Sequence, residues 1–497
     1  MRPIEKFSLT LADISRLLGA NSTLEESALL QIEISGVTQS DSDIENGDVF
    51  IGIPGLKTHG ARYASTAKER GAIAFVTDEA GAKIFTDLPT LVVKNPREAA
   101  ALISCALYRE PMRDLHSIGI TGTNGKTTVT TLLHQMFQMA GRDSGLVGTV
   151  ETRIGSERFK SERTTPEATQ VQALAAVMKE RHMRHFVMEV SSHAISMQRI
   201  KGSHFSYVGF TNLTQDHLDF HGGMQEYFAA KSKLFTFEFA DLGFINVDDP
   251  YGEKLAISSE IPIVTLSRSK KNAQWHYVDY FNENSGVAIQ IRGTGGILIE
   301  ATTSLRGGYN LDNLLMAIAM AHEAGIDPVE IAAIVPKLNG AEGRLDAVNL
   351  GQDFGAFVDY AHTPDAVSNV LRTSKEFTTG KVIAVLGCGG NRDASKRPLM
   401  GEALLKNCDV AIFTSDNPRD ENPEDILKEM IGSQKITSPS RVIPNRAEAI
   451  SYAVSLASNG DCVLILGKGH ESGQEIAGVI SPFDDKLILA DAIEVKK

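Results

Sequence analysis

The chain has 497 residues, of which 42% are hydrophobic and 22% are charged, and its formal net charge is −13. This length exceeds what one hydrophobic core supports, so we expect about three domains. The negative charge argues against a nucleic-acid-binding surface, because such a surface would repel phosphates. No apolar run is long enough to cross a bilayer, and charged residues interrupt residues 1–20, so we expect neither membrane insertion nor a secretory signal.

The cysteines are scattered along the chain and show no paired spacing: Cys105, Cys388, Cys408 and Cys462. This pattern favours reduced, mostly buried thiols over disulfides or zinc ligands, and it indicates a cytoplasmic protein. We find no internal repeat and no low-complexity tract.

Residues 1–110 are predicted to form a small α/β domain. Its apolar strands are expected at 49–53, 72–76 and 91–93. Asn95-Pro96 is a helix-start signal, and the helix is expected to continue to Tyr108. Glu110-Pro111 then marks a joint to the next domain.

Residues 111–340 alternate strands with helices, a pattern typical of a mostly parallel sheet covered on both faces. Strands are expected at 117–120, 186–190, 207–212 and 243–247. A β-rich stretch from Trp275 to Ala301 turns at 292–296 and is predicted to be a hairpin insertion. Residues 339–343 are predicted to be a hinge.

Residues 341–497 restart the strand–helix alternation. Strands are expected at 356–360, 382–386, 410–414 and 462–466. The order indicates a Rossmann-like domain, although Gly387, Gly389 and Gly390 do not form the dinucleotide-binding fingerprint. The predicted fold is therefore α/β with three domains.

The most specific local signal is the segment 119–128, Gly-Ile-Thr-Gly-Thr-Asn-Gly-Lys-Thr-Thr, which lies between a predicted strand and a helix expected at 129–140. Such a loop turns backbone N–H groups toward phosphate oxygens, and its lysine and following hydroxyl serve the phosphates and Mg²⁺. The strict spacing has glycine where this chain has Ile120, so the loop is a variant P-loop. It predicts ATP and Mg²⁺ as cofactors.

Three polar clusters follow predicted strands, where open α/β sheets bind their ligands. Glu189 is placed to hold Mg²⁺, and His217 lies in an acid- and imidazole-rich stretch where it is a candidate metal ligand. The third cluster would form a carboxylate clamp if its members converge. It comprises Arg392, Asp393, Lys396, Arg397 and residues 416–419. Taken alone, Glu189 is better interpreted as a strand-end acid that meets solvent, the stretch around His217 is equally compatible with a solvated loop, and either basic group of the third cluster would be surface charge.

Taken in order, these segments resemble the Mur ligase family almost from end to end. The segments that carry the resemblance are 122–127, 189–193, 212–222, 309–313, 343–344, 359–364, 416–419 and 467–471. The resemblance implies an ATP-dependent ligase with a uridine-binding first domain, a P-loop ATPase domain and a C-terminal amino-acid-binding domain. Among family members it is greatest for those that add the third residue to UDP-N-acetylmuramoyl-L-alanyl-D-glutamate.

The resemblance also implies roles for individual residues. ATP contacts are implied at Gly122, Thr123, Asn124, Gly125, Lys126, Thr127, Thr128, Asn310, Asn313, Arg344 and Asp359. The two asparagines would lie near adenine, the arginine near phosphate and the aspartate near ribose. Lys126, His217 and Lys231 are the implied catalytic residues.

Metal ligands are implied at Thr127, Glu189, His217 and Lys231, the last as a lysine carbamylated by CO₂. Carbamylation turns a cation into an anionic oxygen ligand suited to a hard metal. Without the family, Lys231 would be interpreted as a solvated helix lysine, and Lys233 would be an equal candidate.

Two substrate sites are implied as well. Contacts to the muramoyl peptide are implied at Thr164, Thr165, Ser191 and Arg199, and contacts to the amino acid at Arg392, Asp416, Asn417, Arg419, Gly467 and Glu471. Arg419 would bind the distal carboxylate of meso-2,6-diaminopimelate, which lysine lacks. The chain departs from the family at Ser40-Asp41-Ser42, where many members have Asp-Ser-Arg, and at Met197-Gln198, which we leave unassigned.

Three alternatives stay open at this point. One is a lysine-adding ligase of the same family, and another is a folylpolyglutamate synthetase, which shares the ATPase core but typically lacks the uridine module. The third, from a different class, is a P-loop switch that makes no amide. We expect a monomer with no nucleic-acid partner.

Overall fold

The computed structural model describes residues 1–22, 24–55, 58–283 and 286–497. They form an α/β structure in which three sheets follow one another along the chain. Within these ranges, no helix is both long and apolar enough to cross a membrane. All four cysteines are free thiols, as predicted.

The first sheet has a parallel core. In spatial order its strands are Asn21–Ser22, Thr90–Val92, Ala74–Thr77, Asp48–Gly52 and Gly36–Thr38, and the first of them is antiparallel. A small antiparallel pair joins Leu9–Thr10 to Glu33–Ile34. The α-helices are Leu11–Leu18, Glu26–Leu29, Ala64–Glu69, Glu79–Ile84 and Pro96–Leu107. The predicted last helix is confirmed, because Asn95 Oδ1 accepts hydrogen bonds from the first turn and Pro96 occupies its first position.

The second sheet is larger and mostly parallel. Its strands in spatial order are Glu157–Lys160, Glu151–Ile154, Ser144–Val147, His185–Glu189, His116–Thr121, Phe205–Phe210, Ala240–Asn246, Ile263–Ser267, Trp275–Glu283, Gly286–Arg292 and Leu298–Thr303. Its helices are Pro111–Asp114, Lys126–Met139, Ala168–Glu180, Ser192–Ser196, Leu218–His221, Met224–Ser232, Pro250–Ser258, Gly308–Glu323 and Pro328–Ile334. The four strands predicted for this domain are confirmed to within a few residues.

The hairpin predicted at 275–301 is confirmed at its turn, because Gly286–Arg292 and Leu298–Thr303 pair antiparallel, but the prediction of a separate insertion is wrong. Trp275 and His276 pair in parallel with the preceding strand, and two antiparallel strands then extend the same sheet. The physical reason is the apolar face of these strands, on which Trp275, Tyr277 and Ile291 are buried in the same core as helix Gly308–Glu323. The segment is an edge of the central sheet and not a separate insertion.

The helix Ala168–Glu180 belongs to two cores. Its Ala173 and Ala176 are buried among the apolar side chains of the first domain. Glu180, at its end, accepts hydrogen bonds from the backbone N–H groups of Ile4 and Glu5 at 3.0 and 2.6 Å. The helix therefore fixes the first domain to the central one.

The third sheet confirms the strand–helix alternation predicted for the C-terminal part. Its strands in spatial order are Asp346–Ala347, Gly355–Asp359, Cys462–Leu466, Val382–Leu386, Val410–Phe413 and Arg441–Val442, all parallel except the first. Helices are Pro364–Phe377, Lys396–Asn407, Pro423–Ile431, Arg446–Leu456 and Asp485–Lys496, and a hairpin pairs Gly473–Ile476 with Val479–Pro482. The domain limits and the hinge stay predictions.

A buried ion pair supports the two loops at one end of this sheet. Arg446 and Asp485 are both fully buried, and their side chains form two hydrogen bonds of 2.7 and 2.6 Å. The same guanidinium donates to the carbonyl of Ser415 at 3.3 Å and to that of Leu466 at 2.9 Å. These carbonyls directly precede residues 416–419 and 467–471.

Breaking this pair should destabilise the C-terminal domain strongly. We expect Arg446→Met to lower its free energy of unfolding by about 3–5 kcal/mol, because Asp485 is left as an uncompensated buried charge. Calorimetry of the full chain measures the change. Lys486→Met is the matched control, since Lys486 is 45% exposed where it pairs with Asp346, and we expect a loss of about 1 kcal/mol or less. Equal losses in the two variants would contradict the expectation.

Candidate active site

The P-loop connects strand His116–Thr121 to helix Lys126–Met139. Gly125 has φ +89°, and a Cβ atom there would lie 2.3 Å from Asn313 Oδ1, so only glycine fits. Within the described chain, no side chain caps this helix. Its first backbone N–H groups therefore remain available to an anion.

Lys126 lies folded against this loop. Its Nζ donates to the carbonyl oxygens of Gly122 and Thr123, both at 2.9 Å. Burial lowers the pKa of Lys126, while the carboxylate of Glu189 opposes that shift. The ammonium is thus held beside the loop that is expected to receive phosphate.

Glu189 is a fully buried carboxylate beside the P-loop helix. It accepts hydrogen bonds from the hydroxyls of Thr127 (3.1 Å) and Thr149 (3.0 Å) and from the Thr149 backbone N–H at 2.7 Å. A carboxylate next to a hydroxyl is a donor set that suits Mg²⁺, which binds hard oxygen ligands and completes its shell with phosphate and water. The residues present therefore fit the predicted ion.

Lys231 points into the same region from helix Met224–Ser232. It is 1% exposed, and its Nζ donates to the Gly122 carbonyl at 2.8 Å. Burial, and then the Lys126 cation, lower the pKa of Lys231 well below its ordinary value. Lys233 is exposed, so the structure separates two lysines that the sequence left equivalent. A buried, neutral amine is the form that reacts with CO₂.

His217 lies across from these groups in a left-handed backbone conformation, with φ +53°. Its Nε2 is 3.4 Å from Asp216 Oδ2, and its ring centroid is 4.6 Å from that of His193. Burial lowers the pKa of His217 to about 4, against the opposing effect of Asp216. A neutral imidazole is the metal-binding form. In the described part of the chain, however, no three His, Cys, Asp or Glu side chains form a complete metal site by themselves.

The candidate nucleotide cavity lies between the central and C-terminal domains and has a volume of about 290 Å³. The predicted ATP contacts that line it are Asn124, Gly125, Thr128, Asn313, Arg344 and Asp359. Asn310 is instead buried, and its Nδ2 donates to the Arg306 carbonyl at 3.0 Å.

Our sequence reasoning missed Tyr309. Its hydroxyl is buried without a hydrogen-bond partner among the described residues and lines the cavity, so it could have been found only from the fold.

Asp359 is held firmly at the edge of this cavity. Its carboxylate accepts backbone N–H groups of Leu345 at 2.6 Å and Ala361 at 2.7 Å. Burial raises the pKa of Asp359, while Arg344 and these two donors oppose the shift. The carboxylate is therefore oriented before any nucleotide binds.

The candidate amino-acid pocket is a second cavity between the same two domains, of about 390 Å³. It is lined by all the predicted amino-acid contacts, namely Arg392, Asp416, Asn417, Arg419, Gly467 and Glu471. From the central domain, His217 and Asp216 line the opposite wall. Burial raises the pKa of Asp216, but His217, His362 and Lys396 together hold it below its usual value. The two halves of the predicted site therefore face one cavity.

Two arginines of the predicted carboxylate clamp differ in their surroundings. Arg397 is buried and bonded to Glu421 at 2.8 Å and Glu429 at 2.7 Å, so its guanidinium is already neutralised by protein carboxylates. Arg419 has φ +53°, and its backbone is paired with the hairpin through the carbonyl of Glu475 and the N–H of Ala477. Its Nη1 donates to the Gly390 carbonyl at 2.8 Å, and its Nε lies 3.4 Å from the Glu475 carboxylate.

The predicted muramoyl-peptide residues form one hydrogen-bonded group next to Glu189. Thr165 Oγ1 donates to the Glu189 carbonyl at 2.8 Å and accepts from the Ser191 N–H at 3.0 Å. Arg199 Nη1 donates to the Thr165 carbonyl at 3.3 Å, and the hydroxyl oxygens of Thr164 and Thr149 lie 3.0 Å apart. Gln198 Oε1, left unassigned above, accepts from Asn95 Nδ2 of the first domain at 2.8 Å. The substrate roles of these residues stay predictions.

Comparison with known proteins agrees with this architecture. Three family models match along the chain: the Mur ligase family catalytic domain at residues 33–106, the Mur ligase middle domain at 120–321 and the Mur ligase glutamate ligase domain at 343–469. UDP-N-acetylmuramoyl-L-alanyl-D-glutamate–2,6-diaminopimelate ligase of Streptomyces coelicolor is 44% identical over 501 residues, covering 99% of this chain and 98% of the relative. The enzyme of the same name from Aquifex aeolicus is 38% identical over 484 residues, covering 96% and 98%.

Solved structures share this fold. A structure of UDP-N-acetylmuramoyl-L-alanyl-D-glutamate–2,6-diaminopimelate ligase superposes with a TM-score of 0.69 at 30% identity, covering 98% of this chain and 99% of the other. Mycobacterium tuberculosis folylpolyglutamate synthase, complexed with ADP and AMPPCP, gives a TM-score of 0.60 at 18% identity and covers 75% of this chain and 92% of its own. The second likeness shows a shared fold alone.

Proposed function

The chain belongs to the Mur ligase family of ATP-dependent amide ligases, and from this premise we propose that it joins meso-2,6-diaminopimelate to UDP-N-acetylmuramoyl-L-alanyl-D-glutamate. The products are the tripeptide precursor of peptidoglycan, ADP and phosphate. The observation that carries the proposal is the cavity in which His217 of the central domain faces Arg419 and the other predicted amino-acid contacts. A cytoplasmic location follows from these substrates.

The reaction begins when a carboxylate oxygen of the peptide substrate attacks the γ-phosphorus of ATP and ADP leaves. Two anions must approach each other, so positive groups are needed to offset their repulsion. Lys126 supplies one such charge, and the N-terminal N–H groups of helix Lys126–Met139 supply fixed dipoles. One Mg²⁺ held by Thr127 and Glu189, and a second metal ion held by His217 and carbamylated Lys231, would screen the phosphate charge further.

The acyl phosphate formed in this step is then captured by an amine. The incoming amino group attacks the acyl carbon, phosphate leaves with the C–O bond electrons, and the amine loses a proton. Water would compete in this step, and the position of the amino-acid pocket between two domains helps to exclude it. Asp216, held ionised by its neighbours in that wall, is placed to attract the substrate's ammonium group.

Arg419 favours diaminopimelate over lysine. Its guanidinium lies in the pocket with only Glu475 as a nearby carboxylate among the described contacts. The distal carboxylate of diaminopimelate can pair with its planar fork, whereas lysine would leave the charge without that partner. A folylpolyglutamate synthetase is disfavoured, because the match to the Mur ligase family extends through the first domain, for which uridine binding is proposed.

A measurement of ADP release separates the proposal from the alternatives. We expect release to require both UDP-N-acetylmuramoyl-L-alanyl-D-glutamate and diaminopimelate. It should be at least about 100-fold slower with L-lysine, because lysine lacks the carboxylate that pairs with Arg419 and losing one partner of such a pair costs about 2–5 kcal/mol. Mass spectrometry of the product then identifies the amino acid added. Substrate-independent release would indicate a P-loop switch, and equal rates with lysine would overturn the proposed specificity.

A further inference from the structure

A buried lysine lies directly beneath the amino-acid pocket. Lys468 follows strand Cys462–Leu466 by two residues, and its side chain is 0% exposed. Its Nζ donates to Asn417 Oδ1 at 3.0 Å and to Glu471 Oε2 at 3.1 Å. An ammonium group is buried in this way only when charged or polar partners compensate its desolvation. Both of its partners line the pocket.

These contacts determine how Asn417 presents its amide. Oδ1 accepts from Lys468 and also from the backbone N–H of Glu475 at 3.0 Å. Because lysine can only donate, Oδ1 must face it, and Nδ2 takes the other position of the amide. There Nδ2 donates to Glu471 Oε2 at 2.8 Å. The amide orientation therefore follows from the chemistry of Lys468.

Glu471 is oriented by the same lysine. Its Oε2 receives hydrogen bonds from both Lys468 and Asn417, while the side chain remains 33% exposed toward the pocket. The three side chains form a closed triangle of hydrogen bonds. Loss of the lysine would remove a charge-assisted hydrogen bond from each acceptor, because Asn417 Oδ1 would keep only the Glu475 N–H and Glu471 Oε2 would keep only Asn417 Nδ2. Both pocket side chains would then be held less firmly.

We infer that Lys468 is a positioning residue for amino-acid recognition. It fixes Asn417 and Glu471 in the geometry that receives the distal ammonium group of the substrate. The inference rests on the proposed function. It assigns to Lys468 no contact with the substrate itself. Its effect should therefore fall on binding of the amino acid and not on the other two substrates.

The test is a comparison of Michaelis constants in the full-length protein. We expect Lys468→Met to raise the KM for diaminopimelate by about 10- to 100-fold, because hydrogen bonds to charged groups contribute that much to an oriented site. The KM values for ATP and the UDP-linked peptide should change by about twofold or less, because separate groups of residues bind them. The matched control is Lys486→Met, because Lys486 belongs to the same domain and its side chain is 45% exposed; it should leave all three constants unchanged.

A second variant covers the possibility that methionine is not tolerated at this buried position. Lys468→Gln keeps one donor for Asn417 Oδ1 but removes the charge, and its KM for diaminopimelate should lie between those of the wild type and the methionine variant. An unchanged KM for diaminopimelate, or equal increases for all three substrates, would overturn the inference. Absence of amide product with the wild-type protein would instead overturn the proposed function, so the two failures are distinguishable.

Discussion

Replacing Arg419 by alanine should lower kcat/KM for diaminopimelate by about 10³-fold, because the distal carboxylate would lose a paired, desolvated cation. The pocket places this guanidinium opposite His217 and beside Asn417. The hairpin holds its backbone in the left-handed region. The side chain is thus constrained before substrate arrives, which limits the entropy lost on binding. Initial rates of product formation at varied diaminopimelate concentration measure the effect.

Two comparisons make this expectation specific. Arg441→Ala is the matched control, since Arg441 is exposed and its guanidinium packs over the Tyr452 ring, 4.5 Å from the ring centroid. It should leave kcat/KM unchanged. In Arg419→Ala the preference for diaminopimelate over lysine should fall as well, because the discriminating group is gone. Retention of wild-type kcat/KM would refute the assignment of Arg419.

Replacing Lys231 by alanine should reduce ligation by about 10³-fold or more, since the carbamate oxygen that would hold a metal ion beside the phosphoryl group would be absent. Lys231 is buried against the Gly122 carbonyl. Lys233→Ala removes an exposed lysine two residues away, and we expect near wild-type rates. The rate of ADP release with all substrates present is the measurement.

The carbamate itself gives an independent readout. Wild-type protein kept in bicarbonate should carry the added mass of one CO₂ on the peptide that contains Lys231, and protein depleted of CO₂ should lose activity reversibly. High activity in Lys231→Ala would show that the lysine is dispensable, and activity that does not depend on CO₂ would show that no carbamate is needed.

The sequence predicted those parts of the structure that local patterns determine. The strand before the P-loop, the helix after it and the strands of the C-terminal sheet follow from apolar runs bounded by glycine and capping residues. The 275–301 region was mispredicted because a turn signal does not reveal whether its strands pair with each other alone or also with a distant sheet edge. That choice depends on long-range packing.

In the candidate site too, some features follow from local sequence patterns and others depend on long-range contacts. The P-loop was recognisable from its spacing, whereas the difference between Lys231 and Lys233 depends on which of them meets the Gly122 carbonyl across the fold. Lys468 and Arg446 carried no local signal either, because their roles arise from partners far away in sequence. The sequence therefore identified residues with suitable chemistry, but only the arrangement of the domains shows which of their side chains lie together.

The helix shared between the first two cores has a mechanical consequence. Ala173 and Ala176 of the central domain are packed inside the first domain. We therefore expect these two domains, which would bind the two ends of the long nucleotide-linked substrate, to move as one rigid body. A domain rotation that admits the amino acid would then be a rotation of the C-terminal domain relative to the other two. Removing residues 1–110 would take away the side chains that cover Ala173 and Ala176 and would expose an apolar helix face to water.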